Sequence, residues 1–518
     1  MRGILTKYYI PLLIAILVFA FATRIWRLGE IKGYIFDEVY HTITAKLIHR
    51  NDPRAYEWWN PAIEPNTAVD WLHPPLAKYT QALGMSVFGE NSFGWRISSV
   101  IFGVLVIWVT ARLALDIFKN HAVSLLAALL ASLDGLLLVQ SRITMNDIHV
   151  TFFILLTVLF YVRYRKSATL HRHLYLFATG VSAGLAMSSK WSGLFALGTV
   201  WFLELIRFAE SLFYHHKEKF HKRSLLNHPF FFGFNKLIIL GLVPVAIYVL
   251  SYSHMFLQGK SLVCEGDVVE QGQCYCNPNS SWWVTPMKKI AGGDGTSWEK
   301  LEARGGCQRM ISHFSELNRN IIAYQTTLEA THTYQSRPYQ WFFNLRPVWM
   351  YVQYDNDVVA NIYAQGNPVL FWIGDLAILF SISFLLMKLW HAYYLSNING
   401  ERQKFKNLFK QFHLNNEVGQ VFLILTAYFA VWLPWQISPR IMFFYHYTPA
   451  VPLLCIILAY WLNKIWLSKK LRGKGSLLVI GCITLIAVNF LLFYPNWTGI
   501  QVPKSVAEKI YFFIPSWK

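Results

Sequence analysis

Apolar runs separated by short polar or basic breaks set the pattern of the chain. A membrane-crossing helix needs about 20 mostly apolar residues. Runs that approach this length fall at 8–23, 95–115, 121–139, 147–163, 174–189, 191–207, 236–254, 368–388, 418–436, 441–463 and 476–494. They predict an all-α polytopic membrane protein of about eleven spans. The first run, YYIPLLIAILVFAFA, follows Arg2 and Lys7, as in a signal peptide, but Arg24, Trp26 and Arg27 stand where a small-residue cleavage site would have to be. It reads as a retained span.

The polar segments sort by side. If the N-terminus is cytoplasmic, the loops 163–173, 207–235, 388–417 and 464–475 fall inside, and all four are basic. The stretches 24–94, 140–146, 255–367 and the C-terminal tail fall outside, and the two long ones hold most of the acids. This agrees with the positive-inside rule. The expected organisation is a transmembrane module over 1–254 that includes the outer loop 24–94, a Cys-containing outer segment over 255–367, and a second transmembrane module over 368–518. Within the first loop, Val39, Ile43 and Leu47 recur at helical spacing and predict a helix on the membrane surface. A second helix is expected to start at the prolines of WLHPPLAKYTQAL, since Pro is tolerated in a first turn and not in a helix interior.

Composition agrees. The chain has 518 residues, 54% hydrophobic and only 14% charged, and the formal net charge of +19 is explained by the inside loops. No nucleic-acid-binding motif accompanies it, so nucleic acid is not an expected partner. Four of the six cysteines, Cys264, Cys274, Cys276 and Cys307, lie in one outside segment. That suggests two disulfides, with the pairing open; a zinc site is the rival, although C-x-C is tighter than usual zinc spacing.

Charges at membrane depth call for a functional reason. Asp37 and Glu38 follow the first span as a pair. If helical, they point about 100° apart and do not share one job. Asp37 is either the N-cap of its helix or a general base at the membrane surface, with Glu38 supporting a neighbour. Lys78, Arg96, Arg142, Asp147, Lys190, Arg337, Arg346, Arg440 and His446 all fall on the same side. Singly, each could snorkel to the interface, and Arg142 could pair with Asp147. Together they could hold a lipid-linked phosphate, Arg by bidentate contact and Lys as a point charge.

At these residues the chain resembles the protein O-mannosyltransferases, polytopic glycosyltransferases of the GT-C class. The matching motifs, in order, are Asp37-Glu38, HPPLAK (73–78), Arg96, SRITMND (141–147), KWSGL (190–194), YQSRPYQWFFNLRPVW (334–349) and FFYHYTPAVPLL (443–454). Tyr339 departs from the family's usual Trp. The segment 255–367 is too short for the MIR domain of eukaryotic members, so the resemblance is to bacterial or archaeal plasma-membrane members. It implies a GT-C bundle with outer loop helices that moves mannose, with inversion, from polyprenyl-phosphate-mannose to Ser or Thr hydroxyls of exported proteins. It further implies Asp37 and Glu38 as the catalytic pair and Lys78, Arg96, Arg142, Lys190, Arg337 and Arg440 around the donor phosphate. His73, Asp147, Trp191 and His446 would orient the site or the acceptor. No cofactor and no metal are expected beyond the lipid donor; membrane lipids are the surrounding partner. Two other readings are a prenyl-phosphate-sugar transferase acting on a glycolipid and, in another class, a secondary transporter. The second predicts internal repeats and a midplane site, and neither is visible in the sequence.

Overall fold

The computed structural model describes residues 6–56, 62–168, 170–215, 233, 235–257, 268–270, 273–275, 302–303, 310–328, 330–396 and 410–518. Each of the eleven expected spans coincides with helical structure. Among the described residues, seven helices are long and apolar enough to cross a membrane: Ser92–Phe118, Asp147–Lys166, Trp191–Ser211, Pro368–Tyr394, Glu417–Ile437, Phe444–Trp466 and Lys474–Thr498. Tyr9–Ile25, His121–Ser132 and Asn235–Ser251 are apolar but shorter. The third expected span is broken: His121–Ser132 stops, Asp134 caps a new short helix, Gly135–Gln140, by accepting from the Leu137 N–H at 2.8 Å, and the chain turns.

The helix Ser92–Phe118 is central, packing against Tyr9–Ile25, Leu76–Phe88, His121–Ser132 and Asp147–Lys166. Val451–Trp466 is buried along most of its length and packs on His121–Ser132 and Pro368–Ser396. Lys474–Thr498, by contrast, leaves Leu477, Leu485 and Leu491 exposed, an apolar outer face suited to lipid.

Both predicted loop helices are present. Glu38–His49 buries Ile43 and Leu47, and Leu76–Phe88 starts directly after Pro74-Pro75. A three-stranded sheet late in the chain was not expected. Strands Val348–Asp355 and Val358–Ala364 pair as an antiparallel hairpin, and Gln501–Pro503 adds to the second strand from the far end of the chain. The hairpin turn is Asn356-Asp357, with Asn356 at φ 40°, the conformation such two-residue turns require. Apart from Cys274, which lies in the short strand Gln273–Tyr275, the cysteines of the outer segment fall outside the described residues, and the disulfide expectation with them.

Candidate active site

The stretch YIFDE reaches its helix through a strained residue. Phe36 has φ 51°, a left-handed conformation that costs a bulky side chain about 1–2 kcal/mol. Asp37 follows at the N-cap position, yet its side chain makes no capping bond. The capping reading is thereby removed. The carboxylate accepts instead from the Tyr445 hydroxyl, with Oδ2 at 3.4 Å. Burial pushes its pKa up to about 6; His41 and Lys190 oppose that shift, and Asp70 and Asp147 add to it.

Glu38 is fully buried and turned the other way. Its two oxygens accept Arg96 Nε at 2.9 Å and Nη2 at 2.7 Å. They also accept the backbone N–H of Ile35 at 2.9 Å and of Thr144 at 2.8 Å. Arg96 gives its remaining donors to the carbonyls of Leu28, Ile31 and Gly33. Every guanidinium N–H is therefore used. Both Glu38 oxygens are taken up by Arg96 and two backbone N–H groups, and Arg96 has no donor left for a phosphate; the pair ties the first loop to SRITMND.

A second centre lies beside Asp37. Asp70 is 6% exposed, and its carboxylate meets Lys78 Nζ at 2.7 Å, His73 Nδ1 at 2.9 Å and His41 Nδ1 at 2.7 Å. Burial opposes the charge on Asp70, but His73, Lys78 and His41 outweigh it and hold the carboxyl well below its usual range. Burial pushes His73 down to about 4 against the pull of Asp70, so its imidazole is neutral near pH 7. His41, Asp70 and His73 offer donor atoms within 4.8 Å of one another, the types a metal uses. A divalent ion there would have to share Asp70 with the buried ammonium of Lys78. The donor set suits a charge-balanced hydrogen-bonded cluster better. Lys78 donates to Asp70 and the His73 carbonyl and does not line the cavity beside this centre. Asp70→Asn is expected to lower stability by about 1–3 kcal/mol through the undercompensated Lys78, read as a fall in Tm of the purified protein.

The third group forms a cavity of about 440 Å³ lined by His73, Lys190, Trp191, Arg440 and His446 among mostly apolar side chains. Lys190 Nζ holds both oxygens of Asp147, at 2.8 and 3.0 Å, and stands 5.4 Å from the centre of the Tyr445 ring. The partner of Asp147 is thus Lys190 and not Arg142. The turn that presents Lys190 and Trp191 needs Gly193, because a Cβ there would lie 2.2 Å from the Ala186 backbone. Trp191 Nε1 donates to the Tyr248 hydroxyl at 3.0 Å. Arg440 bonds Gln325 and the Ile441 carbonyl. His446 stacks on Trp341, whose indole N–H donates to Ser336 at 2.8 Å, so the SRPYQW and FFYHY motifs pack as one unit.

Two expected phosphate ligands lie elsewhere. Arg142 spends Nη1 on the carbonyls of Arg24 and Trp26, at 2.7 and 2.8 Å, closing the end of the first helix. Arg337 is exposed, at the start of the short helix Pro338–Phe342, and does not line the cavity. Conversely, sequence reasoning passed over Asp70, His41 and Tyr445. His41 had a signal: it lies four residues after Asp37 on one helix, hence on one face.

Comparison with known proteins fits this arrangement. Residues 14–257 match the family model for dolichyl-phosphate-mannose-protein mannosyltransferase. Residues 310–517 match the C-terminal four-transmembrane region of protein-O-mannosyltransferase. The chain is 28% identical to a polyprenol-phosphate-mannose–protein mannosyltransferase of Corynebacterium glutamicum, covering 97% of this chain and 92% of the relative. It is 23% identical to that of Mycobacterium tuberculosis, covering 97% and 91%. Among solved structures it is similar to the protein O-mannosyltransferase Pmt1-Pmt2 complex of S. cerevisiae bound to the sugar donor. That likeness has TM-score 0.70 and 18% identity, covering 98% of this chain and 92% of the other. ArnT of Cupriavidus metallidurans follows at TM-score 0.50 and 12% identity, with 96% and 76% covered. These likenesses give the GT-C fold.

Proposed function

The chain belongs to the dolichyl-phosphate-mannose-protein mannosyltransferase family, and from that premise we propose that it moves mannose from polyprenyl-phosphate-mannose to Ser or Thr hydroxyls of exported proteins. The observation that carries the chemistry is Asp37: a carboxylate released from capping, with a raised pKa, joined through Tyr445 to the Lys190–Asp147 pair at the wall of the cavity. It is an integral multi-pass membrane protein, and the basic loops on the opposite side argue that this face is extracytoplasmic.

A serine hydroxyl is a weak nucleophile, so a base must take its proton as the bond forms. Asp37 accepts that proton. The hydroxyl oxygen bonds to the anomeric carbon from the face opposite the phosphate, and the anomeric C–O bond breaks with its electron pair going to the phosphate. Lys190 and Arg440 face the cavity that would receive this charge, and preorganised cations stabilise it in the transition state. A phosphate leaves without protonation, so the step is written with no separate acid and no cofactor. The apolar lining, including Leu72, Leu194 and Phe195, suits the prenyl chain.

The test is transfer by the purified protein from a defined polyprenyl-phosphate-mannose to a Ser-containing peptide. Mannosyl-peptide is expected; no product, or product only with a glycolipid acceptor, would overturn the reading. The same assay checks the base. Asp37 acts ionised, so kcat/KM is expected to hold above pH about 6 and to fall about tenfold per unit below it.

A further inference from the structure

Donor and acceptor must approach the anomeric carbon from opposite faces, so a second path has to reach Asp37 beside the cavity. A succession of ring contacts begins at Phe36, next to Asp37, and runs through residues that do not line the cavity. Phe36, the residue before Asp37, stands edge-on to Tyr445 at 6.0 Å and to His332 at 6.4 Å. From His332 the row continues to Tyr334 at 6.0 Å, to Trp349 at 6.2 Å and to Tyr354 at 6.5 Å. His332 and Tyr354 are exposed, and Phe36, Tyr334 and Trp349 are half-buried. None of these five lines the cavity that holds Lys190 and Arg440.

Two features say what would lie on this row. An extended chain repeats its same-face side chains every two residues, about 6.6–6.8 Å. The steps from His332 outward, 6.0 to 6.5 Å, come close to that repeat. The last rings belong to strand Val348–Asp355, which among the described residues pairs on one side only, with Val358–Ala364. Its other edge offers backbone donors and acceptors of the kind an extended peptide uses. The strain at Phe36 also fits, since unusual backbone near a reactive group marks a position that is held for a reason.

We propose that the row Phe36–His332–Tyr334–Trp349–Tyr354 is the acceptor track: an extended polypeptide segment lies along it, alternate residues on successive rings, and delivers its hydroxyl to Asp37. This rests on the transferase reading above and adds where the acceptor binds and in which conformation.

The experiment compares the wild type with Tyr334→Ala and Tyr354→Ala, neither of which touches the reacting atoms. Each is assayed with a capped Ala-Ser-Ala tripeptide and with a nine-residue peptide carrying one Ser. For the long peptide, KM is expected to rise about five- to tenfold in each variant, the loss of one aromatic contact. Its kcat, the donor KM and the tripeptide KM should stay within about twofold. Equal KM changes for both peptides, a change in donor KM, or no change at all would overturn the track. Failure of the transferase reading looks different: the wild type would then mannosylate neither peptide.

Discussion

Asp37→Asn is expected to lower transfer to a Ser peptide by about 10²–10⁴ in kcat, with donor binding retained. The amide keeps the size of the side chain and its bond from Tyr445 but cannot accept the hydroxyl proton. Stability separates this from a folding defect, and its sign is opposite. Folding raises the carboxyl from 3.8 to about 6 through burial, so the ionised form is disfavoured in the native state. Stability from this group is lost as pH rises through that window, and above it the wild type carries the full cost. Removing the charge therefore costs nothing at pH 8 and adds at most about 3 kcal/mol. A protein whose Tm is equal or higher while turnover collapses identifies the base. Wild-type turnover in the variant would remove Asp37 from the mechanism.

The sequence made the outline of this site readable and hid its division of labour. Hydropathy located the helices because burial of backbone in lipid allows little but helix. The two loop helices followed from periodicity and from Pro74-Pro75. Lys190, Trp191, His73, Arg440 and His446 do gather around one cavity, and Asp37 stands behind it, bonded to Tyr445. What one-dimensional reading could not separate was a cation that faces a cavity from a cation whose donors are consumed. Arg96 and Arg440 look alike in sequence, yet Arg96 spends five N–H groups on Glu38 and three carbonyls. Asp70 was passed over because its partners come from three places: His41 one helix away, His73 next to it, and Lys78 a turn into the following helix. The hairpin Val348–Ala364 was missed because its strands carry apolar residues on both faces and its third strand arrives from residues 501–503.

Glu38→Ala is expected to be the most damaging change to the fold near the site, at about 3–5 kcal/mol. The loss comes from three consequences of one deletion. Arg96, 1% exposed, is left as a buried cation without its counter-charge. The N–H groups of Ile35 and Thr144 lose their acceptor, each an unsatisfied buried donor. The first loop is then no longer fastened to SRITMND, so Asp37 and Lys190, reached through Tyr445, lose their fixed relation. Arg96→Lys should fail nearly as badly, because an ammonium has three donors where five are used. Glu38→Gln is the informative variant. It retains the shape and one acceptor oxygen, but loses the charge and sets an NH2 against N–H donors where the second oxygen stood, so it should fold with a reduced Tm. If Glu38 only braces the site, the folded fraction should keep the low-pH limb of its rate profile where Asp37 puts it. A limb displaced or abolished in folded Glu38→Gln would instead place Glu38 in the proton transfer, and the brace assignment would fall.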